Sequence, residues 1–206
     1  MIDAGTVVFL ERGYAAATMR AIAAEADVAV PTVELLFGKK SRLLKAAIDV
    51  AIAGDDEPVA VLDRDWTAEA SDAKDADAFL AVVASVIAPA QRRSAGLVLA
   101  VFEGAAADAE LAELSTQLIE QRAETAKWLV GQLVRIAPLR RGCTLAEAVD
   151  TMWLLMDPAV FDRLTRQRRW TVQRYERWFA ESIDRLLVDH SMRRPTTTNK
   201  KKRYAR

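Results

Sequence analysis

Between residues 111 and 136 the apolar positions Leu111, Leu114, Leu118, Ala126, Leu129, Leu133 and Ile136 return at helical intervals, interrupted by Arg122 and Thr125. A stripe with that period, held over seven turns, is a long amphipathic helix that must bury one face against other helices. The same period recurs along the chain. Alanine is abundant, Gly and Pro fall mainly at punctuation points, and no alternating β-branched run is long enough to suggest a sheet. The chain is therefore expected to be all-α. With 206 residues, 51% of them hydrophobic, it has material for one large domain or two small ones.

Composition also removes several function classes. No apolar stretch approaches the roughly 20 residues of a membrane span, and no basic region followed by an apolar run opens the chain. A soluble, cytoplasmic protein with no membrane partner is expected. The single cysteine, Cys143, and the single histidine, His190, leave no zinc set and no Cys/His pair for catalysis. Phosphate loops and nucleophile elbows are missing too, so neither an enzyme nor a cofactor is expected.

Zero net charge conceals an uneven distribution. Residues 55–77 hold nine acids against two bases, while the last fourteen residues, RRPTTTNKKKRYAR, hold seven bases and no acid. This divides the chain into an N-terminal unit at 1–54, a helical body at 55–189 and a disordered basic tail at 190–206. The tail is read either as a solvated end or as a nonspecific nucleic-acid arm. The acidic stretch is expected to be a linker or irregular excursion anchored by Trp66.

Four short helices are expected within residues 1–54. Ile2, Gly5, Phe9 and Leu10 form one stripe, ended by Gly13. Thr18 caps MRAIAAEA, a tight turn at DVAV leads to a short helix around residues 31–36, and Ser41 caps a helix that Gly54 stops. Helix, tight turn and helix within about 20 residues is the geometry that places a second helix in a major groove. Farther on, a helix is expected to break near Pro89, the 111–136 helix to end at Pro138, another to run from Thr144 to Asp157-Pro158, and a last one to start at Thr171.

The stretch FLERGYAAATMRAIAAEADVAVPTVELLFGKKSRLL resembles the N-terminal domain of TetR/AcrR transcription regulators. Phe9, Gly13-Tyr14, Thr18, Ile22-Ala23, Ala26, Val28, Thr32, Phe37, Lys40 and Leu43-Leu44 carry the likeness. A segment from Ala148 to Phe179 is similar, less specifically, to the C-terminal part of one branch of the family. The resemblance implies an N-terminal three-helix helix-turn-helix DNA-binding domain plus a larger helical ligand-binding and dimerisation domain. It implies that Thr18 holds a phosphate, that Lys40 contacts the opposite backbone, and that Val30, Pro31 and Thr32 meet base edges. Arg20, Glu34 and Lys39 complete the expected DNA-binding set, with simple capping or solvation as the alternative for Thr18 and Lys40.

Several positions depart from the family pattern. Glu34 stands where a phosphate-touching aromatic is usual, and Leu35 replaces a common polar residue or histidine. Ala29 stands where a Ser or Thr cap is expected, and Asp27 replaces the turn glycine. The sequence opens at Met1-Ile2 without a basic N-terminal extension. Residues 1–54 carry six bases and six acids, so modest nonspecific DNA affinity is expected.

In the body the resemblance implies a ligand cavity and a dimer built from the last two helices. The helix over residues 171–188 has an apolar face of Val172, Tyr175, Phe179, Ile183 and Leu186, widened by Trp178 and Leu187, which self-association across a two-fold axis would cover. Packing within one chain is the alternative for Trp178 and Leu187. Trp128, Met152, Trp153, Met156 and Phe161 are candidates for an apolar pocket, with Arg122 or Asp157 as polar handle, and plain core is the alternative for each.

These expectations describe a homodimeric repressor that binds a palindromic double-stranded DNA operator and is released by an unknown small-molecule effector. A helical partner-binding protein that kept the fold but lost DNA reading is the alternative. Glu34→Tyr separates the two in a DNA-binding titration. A large gain in affinity points to the lapsed reader, whereas a loss means that Glu34 contributes to readout, as an acceptor from cytosine N4 would.

Overall fold

The computed structural model describes residues 1–57 and 59–191. Ten α-helices run in the order α1 (Ile2–Ala16), α2 (Met19–Glu25), α3 (Val30–Phe37), α4 (Lys40–Ala53), α5 (Asp65–Ser71), α6 (Ala76–Gly104), α7 (Ala109–Ile136), α8 (Leu145–Leu155), α9 (Pro158–Asp162) and α10 (Val172–Leu187), with no strand among the described residues. The expected basic tail lies, from residue 192 onward, outside the described residues. No helix among them is long and apolar enough to cross a membrane.

The buried side chains form two clusters. One gathers Phe79, Leu80 and Val83 of α6 with Leu129 and Leu133 of α7, Met152 of α8 and the inner face of α10. The other gathers Val8, Phe9, Ile22, Val33, Leu43, Leu44 and Ile48 from α1 to α4, then continues into Leu97 and Val101 of α6 and Leu111, Leu114 and Leu118 of α7. The N-terminal helices thus complete their core with the ends of α6 and α7. At Gly5 the approach of α1 to α4 admits no side chain, because an added Cβ would lie 2.2 Å from Leu43 Cδ2.

Two local expectations are corrected. Pro89 does not break its helix: α6 runs from Ala76 to Gly104 with Pro89 inside. The lost backbone hydrogen bond costs about 3 kcal/mol, which burial of α6 against α1, α4, α5, α7, α9 and α10 offsets. Ser41 is not the cap of α4. Lys39 holds that place without a side-chain cap bond, and the Ser41 hydroxyl donates to Glu110 instead.

The turn chemistry of the reading unit follows its residues. Thr18 Oγ1 accepts from Ala21 N at 3.1 Å and starts α2. Asp27 takes the left-handed conformation, φ +53°, a backbone that glycine adopts freely and aspartate tolerates. Ala29 starts α3 with no side-chain cap bond; Pro31 has no N–H to satisfy, and Thr32 N reaches the Ala29 carbonyl at 2.9 Å rather than a side-chain cap. Ala29→Ser supplies the missing acceptor. It is expected to raise stability by about 1 kcal/mol in denaturant unfolding of the full chain.

Candidate DNA-reading surface and effector cavity

Helix α3 is anchored by one face. Val33 is fully buried, and Val30 and Phe37 are partly buried against the N-terminal core. Pro31, Thr32, Glu34, Leu35 and Leu36 are exposed on the remaining surface. Arg20 on α2 and Arg42 on α4 are exposed as well. Seven of the eight expected DNA-facing residues are exposed or half-exposed: Thr18, Arg20, Val30, Pro31, Thr32, Glu34 and Lys39.

Lys40 is placed differently from the expectation. Its ammonium donates to the carbonyl oxygens of Tyr14 at 2.6 Å and Ala17 at 2.9 Å, and it lies 4.0 Å from the centre of the Tyr14 ring. Gly13 departs from helical backbone (φ 69°, ψ 167°), leaving carbonyls at the end of α1 that attract a cation. Lys40 thereby ties the end of α1 to the start of α4. Burial pulls its pKa down, partly opposed by Asp108. Burial, then Asp108 and Glu110, push the Tyr14 phenol up to about 12.

Lys39 also has a partner in this state. Glu110, in the first turn of α7, accepts from Lys39 Nζ and from Ser41 Oγ, each at 2.5 Å. Those two hydrogen bonds, Lys39 first, hold the Glu110 carboxyl below its usual range. The start of α4 is thus fastened to the start of α7. At the other end of α4, Arg93 of α6 donates to the carbonyl oxygens of Ala51 at 2.8 Å and Ile52 at 3.2 Å.

Between α4, α6, α7 and the 55–62 segment lies a partly enclosed cavity of about 700 Å³. Its walls include Val50 and Ile52 of α4, Ile87 and Val98 of α6, Thr125 of α7, and Leu62 and Trp66. Asp55, Asp56 and Glu57 lie along the same segment. Trp66 anchors the acidic excursion as expected: its indole donates to Val61 O at 2.9 Å, and Arg64 pairs with Asp55 at 2.6 Å.

The pocket residues inferred from sequence need correction. Arg122 and Met156 line the cavity; Trp128, Met152, Trp153 and Phe161 do not. Met152 is fully buried in the body core, Phe161 packs edge-on against Tyr175 at 4.8 Å, and Trp128 packs edge-on against Trp66 at 5.4 Å. Trp153 stacks under the Arg122 guanidinium at 4.2 Å. Asp157 also stands outside the wall, engaged by Arg122 at 2.8 Å and by Ala159 N at 2.8 Å. Arg122 is therefore a neutralised handle, although its Nε is buried with no hydrogen-bond partner among the described residues. The missed wall residues of α4 and α6 carry ordinary apolar periodicity. Ser94, the buried polar residue of the described chain, follows Gln91-Arg92-Arg93 and gave no separate signal in the sequence.

The expected dimer face is corrected in the same way. Tyr175, Phe179, Ile183 and Leu187 are buried within their own chain at 0–1% exposure. Helix α10 packs against both α6 and α8, so neighbours within one chain cover an arc that looked too wide for that. Trp178 is partly buried, edge-on to Trp170 at 5.9 Å. The large apolar residues still exposed on α8 and α10 are Leu145, Leu154 and Leu186.

Residues 1–47 match the family model of bacterial regulatory proteins, tetR family. No curated protein matches the sequence. Solved structures share the fold over nearly the full length. FadR from Bacillus subtilis, in complex with stearoyl-CoA, aligns at TM-score 0.66 and 17% identity over 88% of this chain and 95% of its own. The fatty acid degradation regulator FadR from Bacillus halodurans gives 0.66 and 16% over 88% and 91%. NalD, the secondary repressor of the MexAB-OprM multidrug efflux pump in Pseudomonas aeruginosa, gives 0.62 and 18% over 91% and 93%.

The two adjacent lysines are expected to separate in mutagenesis. Lys40→Ala leaves two helix-end carbonyls without their donor and lowers stability by about 1–2 kcal/mol. Lys39→Ala, at an exposed ion pair, leaves the thermal midpoint nearly unchanged. Parallel melts of the two variants check this.

Proposed function

We propose that this chain, whose residues 1–47 match the tetR-family model, is a ligand-responsive transcriptional repressor of that family acting as a homodimer on a palindromic operator. The observation that carries this reading is that α4 serves two sites. Its C-terminal half supplies Val50 and Ile52 to the cavity wall, while its N-terminal end abuts the reading helix and is held by Glu110. An effector that binds better when α4 is displaced shifts the population toward a head separation that no longer matches two half-sites.

The cavity walls favour a largely apolar effector. Gln91 and Ser94, the polar groups contributed by the middle of α6, are engaged by the Met156 and Ala90 carbonyls. The Bacillus subtilis FadR holds stearoyl-CoA in this fold, and an acyl chain suits these walls. Asp55, Asp56 and Glu57 disfavour an anionic head group there, so we take the effector's polar end to be neutral or cationic. Self-association draws on the exposed apolar residues of α8 and α10, in place of the α10 face buried in the chain itself.

Gel shifts with DNA upstream of the protein's own gene, repeated across salt concentrations, test the reading; absence of a specific shift at every salt rejects it. Sedimentation at micromolar concentration is expected to show a dimer, and a monomer there rejects the two-headed geometry. Glu110→Gln frees Lys39 for phosphate. DNA binding is then expected to tighten at low salt, with the slope of log affinity against log salt steepening by about one.

A further inference from the structure

The reading helix carries VPTVELLF, a sequence with no Arg, Lys, Asn or Gln. The bidentate contacts that identify guanine or adenine in the major groove are therefore chemically unavailable to it. With Val33 as the innermost residue, the 100° step of a helix places Pro31 and Leu35 roughly 160° away on either side, so they form its outermost ridge. The exposures agree: Leu35 is 86% exposed and the adjacent Leu36 59%, the two most exposed large apolar side chains among the described residues. Single exposed leucines are commonplace on protein surfaces. Here Leu35 and the exposed Pro31 lie about 40° apart, opposite the face anchored by Val30, Val33 and Phe37, and form a directed apolar edge.

One base presents an apolar group in the major groove, the C5-methyl of thymine. We propose that Leu35, with Pro31 one turn before it, reads thymine methyl groups, and that this chain selects its half-site by apolar contact rather than by purine hydrogen bonding. The proposal rests on the DNA-reading function above. A protein partner would also cover an apolar ridge, but bases flank this one: Arg20 on α2 and Arg42 on α4 are exposed on the helices packed against α3, suiting phosphates on either side of a groove. Thr32 and Glu34, the polar side chains of α3, sit to either side of the ridge as secondary contacts.

The test starts from a half-site selected by the full-length protein out of random DNA. Each thymine in it is replaced, one at a time, by deoxyuridine, which removes the methyl and nothing else. Binding of the wild-type chain is expected to weaken about 3- to 5-fold at each contacted position. At one or more of those positions the penalty is expected to vanish in Leu35→Ala, whose fold, checked by circular dichroism, should be intact because the side chain is exposed. A selected site whose deoxyuridine forms all bind like the parent overturns the thymine reading and leaves the repressor reading standing. Failure to select any site overturns both. A change of oligomeric state in Leu35→Ala with no deoxyuridine effect assigns the ridge to a protein contact and likewise overturns the proposal.

Discussion

Helix α6 belongs to two hydrophobic cores at once. Its first half, through Phe79, Leu80 and Val83, closes the body against α7, α8 and α10. Its second half, through Leu97, Val98 and Val101, closes the N-terminal unit against α1 and α4. Because α6 is uninterrupted across Pro89, a displacement that repacks one core is transmitted to the other as rigid-body motion of a helix rather than absorbed in a linker. The proposed coupling of the cavity to the N-terminal unit depends on that continuity. A reading unit with a self-contained core would be indifferent to a ligand in the body.

Polar contacts refine what α6 imposes. Arg93 grips the last carbonyls of α4 from α6, and Glu110 grips its first turn from α7. Helix α4 is thus held at both ends by elements that also border the cavity or the body core. Lys40, inside the N-terminal unit, holds α1 to α4. The three cations differ in what they can exchange. Arg93 and the half-buried Lys40 are engaged by backbone carbonyls and act structurally, while Lys39 is exposed and its carboxylate partner is replaceable by phosphate.

Much of the fold was legible because helix periodicity and capping are local. Thr18, Thr144 and Thr171 each accept the backbone bond that their positions imply, and Gly13 and Gly54 take the positive φ of helix ends. The exposed face of α3 was legible for the same reason, since it lies on one short helix whose buried and exposed faces alternate at a known period. The cavity walls and the burial of α10 within its own chain were not. Each requires knowing which of several apolar stripes faces which neighbour, and Val50, Ile87 or Tyr175 looks the same in sequence whether it lines a void, fills a core or meets a second chain.

By itself the sequence determined an all-α chain and the helix-turn-helix register with Asp27 in the turn and Ala29 at an uncapped start. These follow from backbone and side-chain preferences acting over a few residues. Only the tertiary structure decided that Lys40 faces carbonyls, that Arg122 is neutralised by Asp157, that the α10 face is internal and that Pro89 leaves α6 unbroken. Each of these outcomes depends on partners tens of residues away, and a contact between distant segments is set by packing of the whole rather than by any local pattern.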